Sequence, residues 1–167
     1  KNAEYDSALK EYEGVINSKP FTVHIPLVYN NVQTVKQNKG IAYYNSGLAY
    51  RSKSLFSNEE SNLYKTNIKK ALESYQNAEK YLKNDFDNTY NLALTAHIAG
   101  EYSLAAEKYC SAVNLNPENF DAHYNFAVLL YKMRLYKDAL EELEKTLMLT
   151  DYKGDEKRNK YIFSLIE

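Results

Sequence analysis

Apolar and aromatic residues recur at helical spacing along most of the chain. Ala71, Tyr75, Ala78 and Leu82 form one such series, Ala105, Tyr109, Ala112 and Val113 a second, and Ala139, Leu143 and Leu147 a third. Residues three, four and seven apart share one side of a helix, so each series reads as the buried face of an amphipathic helix. Upstream, Val28, Val32 and Val35 lead at the same spacing into Ala42, Tyr43 and Ser46, which predicts one long helix from about Pro26 to Ser54. Pro26 suits its first turn, because the amide hydrogen that proline lacks would be unpaired there. Gly40 lies inside that helix and disfavours it by up to about 1 kcal/mol against alanine, so a bend or break near it is the alternative. Strands would need turn residues every eight to twelve positions or so. Five glycines and three prolines in 167 residues supply too few, and the expected class is all-α.

The chain also repeats itself. Residues 86–119 lie over 120–153 at an offset of 34: both begin Phe-Asp, carry Tyr-Asn at the fifth and sixth places, Tyr at the seventeenth and Ala at the eighth and twentieth. Ala112 and Thr146 share the twenty-seventh place, and Pro117 holds the thirty-second. This period and placement of small residues resemble the tetratricopeptide repeat. Departures are Thr89 and His123 where that family favours Trp, and Asp151 where it favours Pro. The resemblance implies a right-handed α-solenoid of stacked helix-turn-helix units. Small residues let the two helices of a unit approach closely, while Leu92/Phe126, Tyr102/Tyr136 and Tyr109/Leu143 fill the space beside them.

Extending the frame makes the whole chain one repeat domain. Residues 1–22 match the second half of a unit through Tyr5, Ala8, Tyr12 and Pro20, and 23–39 are an inserted segment. Residues 40–85 form a unit enlarged by 12 residues after Phe56, because the alanine expected at 59 stands at 71. The insertion opens with Ser57 and Glu60 in capping-box spacing; it either lengthens the second helix or forms a polar loop. Asp85 and Asn119 are expected N-caps. Gly100 suits the left-handed turn between the helices of its unit, and Arg134 in the same place predicts a less tight turn. Residues 154–167, with Tyr161, Ile162, Leu165 and Ile166 on one side, read as a capping helix or as the opening of a further repeat. A chain starting at Lys1 with helical pattern from Ala3 is expected to be a cut or processed product.

Charge and chemistry narrow the function. With 21 Lys+Arg against 22 Asp+Glu and a pI near 6.4, the chain lacks the positive field that holds nucleic acid, and no apolar run approaches the roughly 20 residues that cross a bilayer. Mean hydropathy of -0.62 fits a soluble domain, with a cytoplasmic location slightly favoured over others. Among His24, His97 and His123 none has a metal-pair partner one turn away, and no metal or cofactor is assigned. His97 is expected on the inner wall and His123 against the neighbouring unit. Cys110 lacks a base at useful spacing and reads as a half-buried structural thiol. No phosphate-cradling loop or nucleophile elbow occurs, and the expectation is a protein that is not an enzyme.

Function then rests on surface shape. The resemblance places the first helix of each unit on the inner wall of the superhelix, where this chain forms four rows. These are Tyr44, Tyr90 and Tyr124; Asn45, Asn91 and Asn125; Leu48, Leu94 and Val128; and Arg51, His97 and Tyr131. An asparagine column can pair with the backbone of a bound peptide, and tyrosine adds contact area at small entropy cost. The alternative is that the Tyr-Asn pair serves helix packing. Tyr44, Leu48, Asp121 and Asn125 occupy places that some relatives use with Asn91 to clamp a chaperone's terminal carboxylate, so no such tail binding is expected. Thirteen of the 17 tyrosines fall on frame places: the four wall residues Tyr44, Tyr90, Tyr124 and Tyr131, and nine packing residues, Tyr5, Tyr12, Tyr43, Tyr50, Tyr75, Tyr81, Tyr102, Tyr109 and Tyr136. The leading reading is a scaffold that holds a partner's peptide or helix in the groove. Self-association through the insertions or chain ends is the runner-up, and a regulatory or targeting arm of a larger protein the third.

Overall fold

The computed structural model describes residues 2–18 and 28–149, with side chains from residue 33 onward in the second stretch. Seven helices and no strand occur among them: α1 (Asn2–Ile16), α2 (Val28–Ser54), α3 (Asn62–Glu79), α4 (Phe86–Ala99), α5 (Tyr102–Leu115), α6 (Phe120–Lys132) and α7 (Tyr136–Leu149). Pro26, His24, Asp151, the side chains of Val28 and Val32, and the expected helix within 154–167 lie outside the described residues.

The helices pair as α2/α3, α4/α5 and α6/α7, with α1 against α2. Contacts between pairs define two layers. Asn91 of α4 reaches Tyr44 of α2, and Asn125 of α6 reaches Tyr90 of α4, so α2, α4 and α6 form one layer. In the other, Lys108 Nζ of α5 donates to Glu79 Oε1 of α3 at 2.6 Å. Between the layers lie Ala71, Tyr75, Leu92, Ala93, Ala96, Ala105, Tyr109 and Leu129, all buried. The result is an all-α solenoid of tetratricopeptide type.

The 27-residue α2 runs through Gly40 without a break. A Cβ at Gly40 would lie 2.8 Å from Leu82 Cγ and Tyr81 Cβ, and one at Gly47 2.6 Å from the Tyr75 ring. Close approach of α3 at Gly47, and of the segment that follows α3 at Gly40, offsets the weak helix propensity of these two positions. The insertion divides. Asn58 closes a turn by accepting from the Glu60 N–H at 3.0 Å, and the Ser61 N–H donates to the Asn58 carbonyl at 2.9 Å. Ser57 therefore caps nothing; Ser61 is the N-cap, its Oγ accepting from the Tyr64 N–H at 3.1 Å, and residues from Asn62 onward lengthen α3.

Asp85 caps α4 by accepting from the Asn88 N–H at 2.8 Å, and Asn119 caps α6 by accepting from the Ala122 N–H at 2.9 Å. Gly100 has φ +80° and Arg134 φ +63°. The turn at Arg134 is no looser. At Gly100 the closing bonds are Gly100 N–H to His97 O, 3.1 Å, and Glu101 N–H to Ala96 O, 2.9 Å. At Arg134 they are Arg134 N–H to Tyr131 O, 3.0 Å, and Leu135 N–H to Leu130 O, 2.9 Å. Two of the expected packing tyrosines are exposed instead: Tyr136 at 57% and Tyr81 at 38%. Tyr102, at the place of Tyr136 one unit earlier, is half-buried under Lys132, whose Nζ lies 4.9 Å from its ring centre. Tyr81 stacks its ring on Tyr43, 5.9 Å between centres, and leaves its edge in solvent.

Candidate functional site: the inner wall

Places five, six, nine and twelve of a unit stand one, four and seven residues apart, so a helix must show them on one side. The structure brings the candidates together in this way: Tyr44, Asn45, Leu48 and Arg51 on α2, Tyr90, Asn91, Leu94 and His97 on α4, and Tyr124, Asn125, Val128 and Tyr131 on α6. Ten of the twelve are half-buried, as befits a wall whose side chains pack laterally and keep one side open. Asn91 is buried at 9% exposure and Tyr131 is exposed at 49%.

The asparagines are engaged between units. Asn91 Nδ2 donates to the Asp87 carbonyl at 2.7 Å and to the Tyr44 hydroxyl at 3.3 Å, and Asn125 Nδ2 donates to the Tyr90 hydroxyl at 2.7 Å. Each rung ties a tyrosine at the fifth place to an asparagine at the sixth place of the next unit. An amide nitrogen has two hydrogens, so Asn91 keeps only its carbonyl oxygen for an outside partner. Packing and wall are thus one device: the rungs set the spacing at which Leu48, Leu94 and Val128 line up.

Beneath the wall lie residues that the frame assigned to packing alone. Tyr75 rests against Tyr44, ring centres 5.9 Å apart, while Tyr109 meets Tyr90 at 6.2 Å, His97 at 6.3 Å and Phe126 at 6.1 Å. Tyr75 and Tyr109 are fully buried, yet neither hydroxyl has a hydrogen-bond partner among the described residues; nor does the buried Nη1 of Arg51. Burial pushes both phenols well above the usual tyrosine range, and the Arg51 charge pulls each back down. Tyr44 is raised first by burial and then by Asp87 and Asp85, again against Arg51. Burial lowers His97, with Lys132 acting in the same direction, which favours the neutral imidazole. The wall therefore has acids at the N-terminal edge of its helices and cations at the other. No sequence signal marks this floor, since an aromatic at place twenty-four reads as a filler whether or not its hydroxyl has a partner.

His123 faces its own unit as well as the neighbour. Its Nδ1 lies 2.5 Å from Glu142 Oε2, and its Nε2 3.0 Å from the Pro117 carbonyl of the preceding unit. Glu142 stands 19 residues away, beyond any local pattern. Cys110 is exposed rather than half-buried, because it points outward beside buried Tyr109; Asn114 Nδ2 lies 3.9 Å from its sulfur. No group of three His, Cys, Asp or Glu residues suited to a metal occurs among the described residues, and no helix among them is long and apolar enough to cross a membrane. Further recesses lie away from the wall. One of about 710 Å³ is lined by Gln33, Lys36 and residues 80–85, and one of about 620 Å³ lies between α1, α2 and α3. Both are charged and amide-rich crevices between helices, whereas the wall is an open surface.

A family model described as TPR repeat matches residues 96–133. Photosystem I assembly protein Ycf3 of Synechococcus elongatus is 30% identical over 115 residues, 66% of this chain and 60% of the relative. The protein of the same description from Cyanophora paradoxa is 29% identical over 68% of the chain and 61% of its own length. The chain thus spans about three-fifths of the curated relatives it matches. Among solved structures, a thermophilic TPR protein of Thermus thermophilus is similar with a TM-score of 0.63 and 18% identity, over 99% of this chain and 92% of that one. MamA of Desulfovibrio magneticus is similar with a TM-score of 0.59 and 18% identity, over 90% and 76%. At such identity these two likenesses concern the fold.

Proposed function

From the premise that this chain is a tetratricopeptide-repeat protein, we propose that it is a non-catalytic scaffold or adaptor that holds a partner's peptide or helix along the wall of α2, α4 and α6. The units 40–85, 86–119 and 120–153, with the partial unit 1–22, would act as one domain. The observation that carries this reading is the continuous row of half-buried Leu48, Leu94 and Val128, kept in register by the two Tyr–Asn rungs. An open apolar strip flanked by aromatic and polar side chains is the surface on which helix-in-groove and extended-peptide recognition rest. That matching curated relatives are assembly proteins agrees with such a role.

The test compares a partner recovered on the unaltered chain with its binding to Val128→Asp and to Lys137→Asp, on the opposite layer. Loss of binding with the first and retention with the second supports the wall. The reverse pattern refutes it. A second reading, self-association through the insertion, has its own observation: Leu55 and Leu63 are 79% and 58% exposed on either side of the 57–61 link. Sedimentation of the full chain decides it, since a dimer that dissociates on Leu63→Ser is required.

A further inference from the structure

Three buried polar atoms without partners among the described residues lie in or beside the core beneath the wall: Arg51 Nη1, Tyr75 Oη and Tyr109 Oη. All three belong to hydrogen-bond donors, and the guanidinium is a permanent cation. We propose that Arg51 and the tyrosine floor beneath it form a subsite for a carboxylate, supplied by an aspartate or glutamate side chain of the segment held in the groove. The proposal rests on the groove reading above and names the chemistry of its occupant.

Four observations support it. Arg51 forms no ion pair among the described residues, whereas Lys53 is paired with Asp6, Lys108 with Glu79 and Lys145 with Glu142. Lys132, which also stands on that edge of the wall, is set over the Tyr102 ring, and Lys70 over that of Tyr50. A guanidinium without an ion pair suits one carboxylate. Secondly, phenylalanine would fill the places of Tyr75 and Tyr109 without an unpaired hydroxyl, and Leu143 shows that the corresponding place in the last unit does without one. Thirdly, the Arg51 charge acts on Tyr44, Tyr75 and Tyr109, so the cation and the phenols share one local field. Fourthly, the wall's own acids stand at the opposite edge, where Asp85 and Asp87 act on Tyr44. A bound segment is thereby oriented with its acid towards Arg51. A side chain rather than a chain terminus is the source, since Tyr44, Leu48, Asp121 and Asn125 offer no second cation for a free end.

The probe is a displayed library of random 16-residue peptides whose C-termini are blocked by fusion, selected on the full chain. Selected peptides are then synthesised as C-terminal amides for titration. The expected result is an acidic residue recurring at one position. Its change to the amide weakens binding about tenfold or more, Arg51→Gln weakens it similarly, and the two changes together weaken it little further. The peptide change leaves the protein unaltered, so that arm holds even if Arg51→Gln disturbs the fold. Selected peptides with no recurring acid, or effects of the two changes that simply multiply, overturn the subsite. If those peptides still lose affinity for Val128→Asp, the groove reading survives that failure. A library that yields no binder, or binders indifferent to Val128→Asp, overturns both.

Discussion

Residues 86–119 and 120–153 carry the same frame, and their differences separate what the backbone requires from what the surface uses. Both start on a capped helix, at Asp85 and Asn119, and both close the inter-helix turn with the same pair of bonds, through Gly100 and Arg134. Both take part in a Tyr–Asn rung. They part company in the fillers. The first unit buries Tyr109 with an unpaired hydroxyl below His97. The second buries Leu143 in a cluster with Ala127 and places its polar atoms elsewhere, in the bonded His123–Glu142 pair. Stacking thus tolerates a leucine at the twenty-fourth place, so the hydroxyl of Tyr109 is not a requirement of the stack.

The sharpest way to break this comparison is to remove the two fillers. Tyr109→Ala is expected to cost about 3–5 kcal/mol, since its ring touches Tyr90 and His97 of its own unit and Phe126 of the next, whereas Leu143→Ala lies near the lower end, about 2–3 kcal/mol. Tyr109→Phe is expected to be neutral or stabilising by up to about 1 kcal/mol, because it deletes a buried donor without a partner. Denaturant titration measures all three, and a clear loss with Tyr109→Phe would mean that the hydroxyl supports the fold.

Next in size are the rungs. Asn91→Ala removes two bonds from a buried side chain and should cost about 1–2 kcal/mol, against about 1 kcal/mol for Asn125→Ala with one. Equal losses would show that the Asp87 and Tyr44 bonds of Asn91 count for no more than the single bond of Asn125. The turns come third. Arg134→Gly should stabilise by about 1 kcal/mol and Gly100→Ala destabilise by about as much, read as shifts of the thermal midpoint.

The smallest effect is on pH. Burial and Lys132 hold the folded-state pKa of His97 below its usual value, so the unfolded chain takes up the proton first. Stability from this residue is complete above about pH 6.5 and falls as the pH drops below it. His97→Gln should flatten that part of the profile of denaturation midpoint against pH, and a profile that stays unchanged would remove His97 as its source.

Much of this architecture is legible in the sequence because repeats display their constraints twice. A small residue at a helix crossing, a cap before each first helix and a turn residue between helices are short-range requirements, and Ala93/Ala127, Asp85/Asn119 and Gly100/Arg134 occur at matched places. What escapes is set by partners far along the chain or by local competition. Glu142 meets His123 across 19 residues, and the rungs span 47 and 35, so nothing near Asn91 or Asn125 reveals that each is tied to a tyrosine of the preceding unit. At the insertion the Asn58 turn outcompetes the Ser57 pattern and moves the cap to Ser61. The wall candidates follow from the family resemblance, but the floor of Tyr75 and Tyr109 does not, because a packing place and an unpaired hydroxyl look alike in sequence.

The central claim, that the layer of α2, α4 and α6 receives the partner, is tested most directly by placing a photo-crosslinking residue at single positions of the full chain. Val128 and Tyr131 on the wall are compared with Glu107 and Lys137 on the opposite layer, all in the source cell. The account predicts one shared crosslinked partner from both wall positions and none from Glu107 or Lys137. Crosslinks to that partner from the opposite layer, with the wall positions silent, would contradict it.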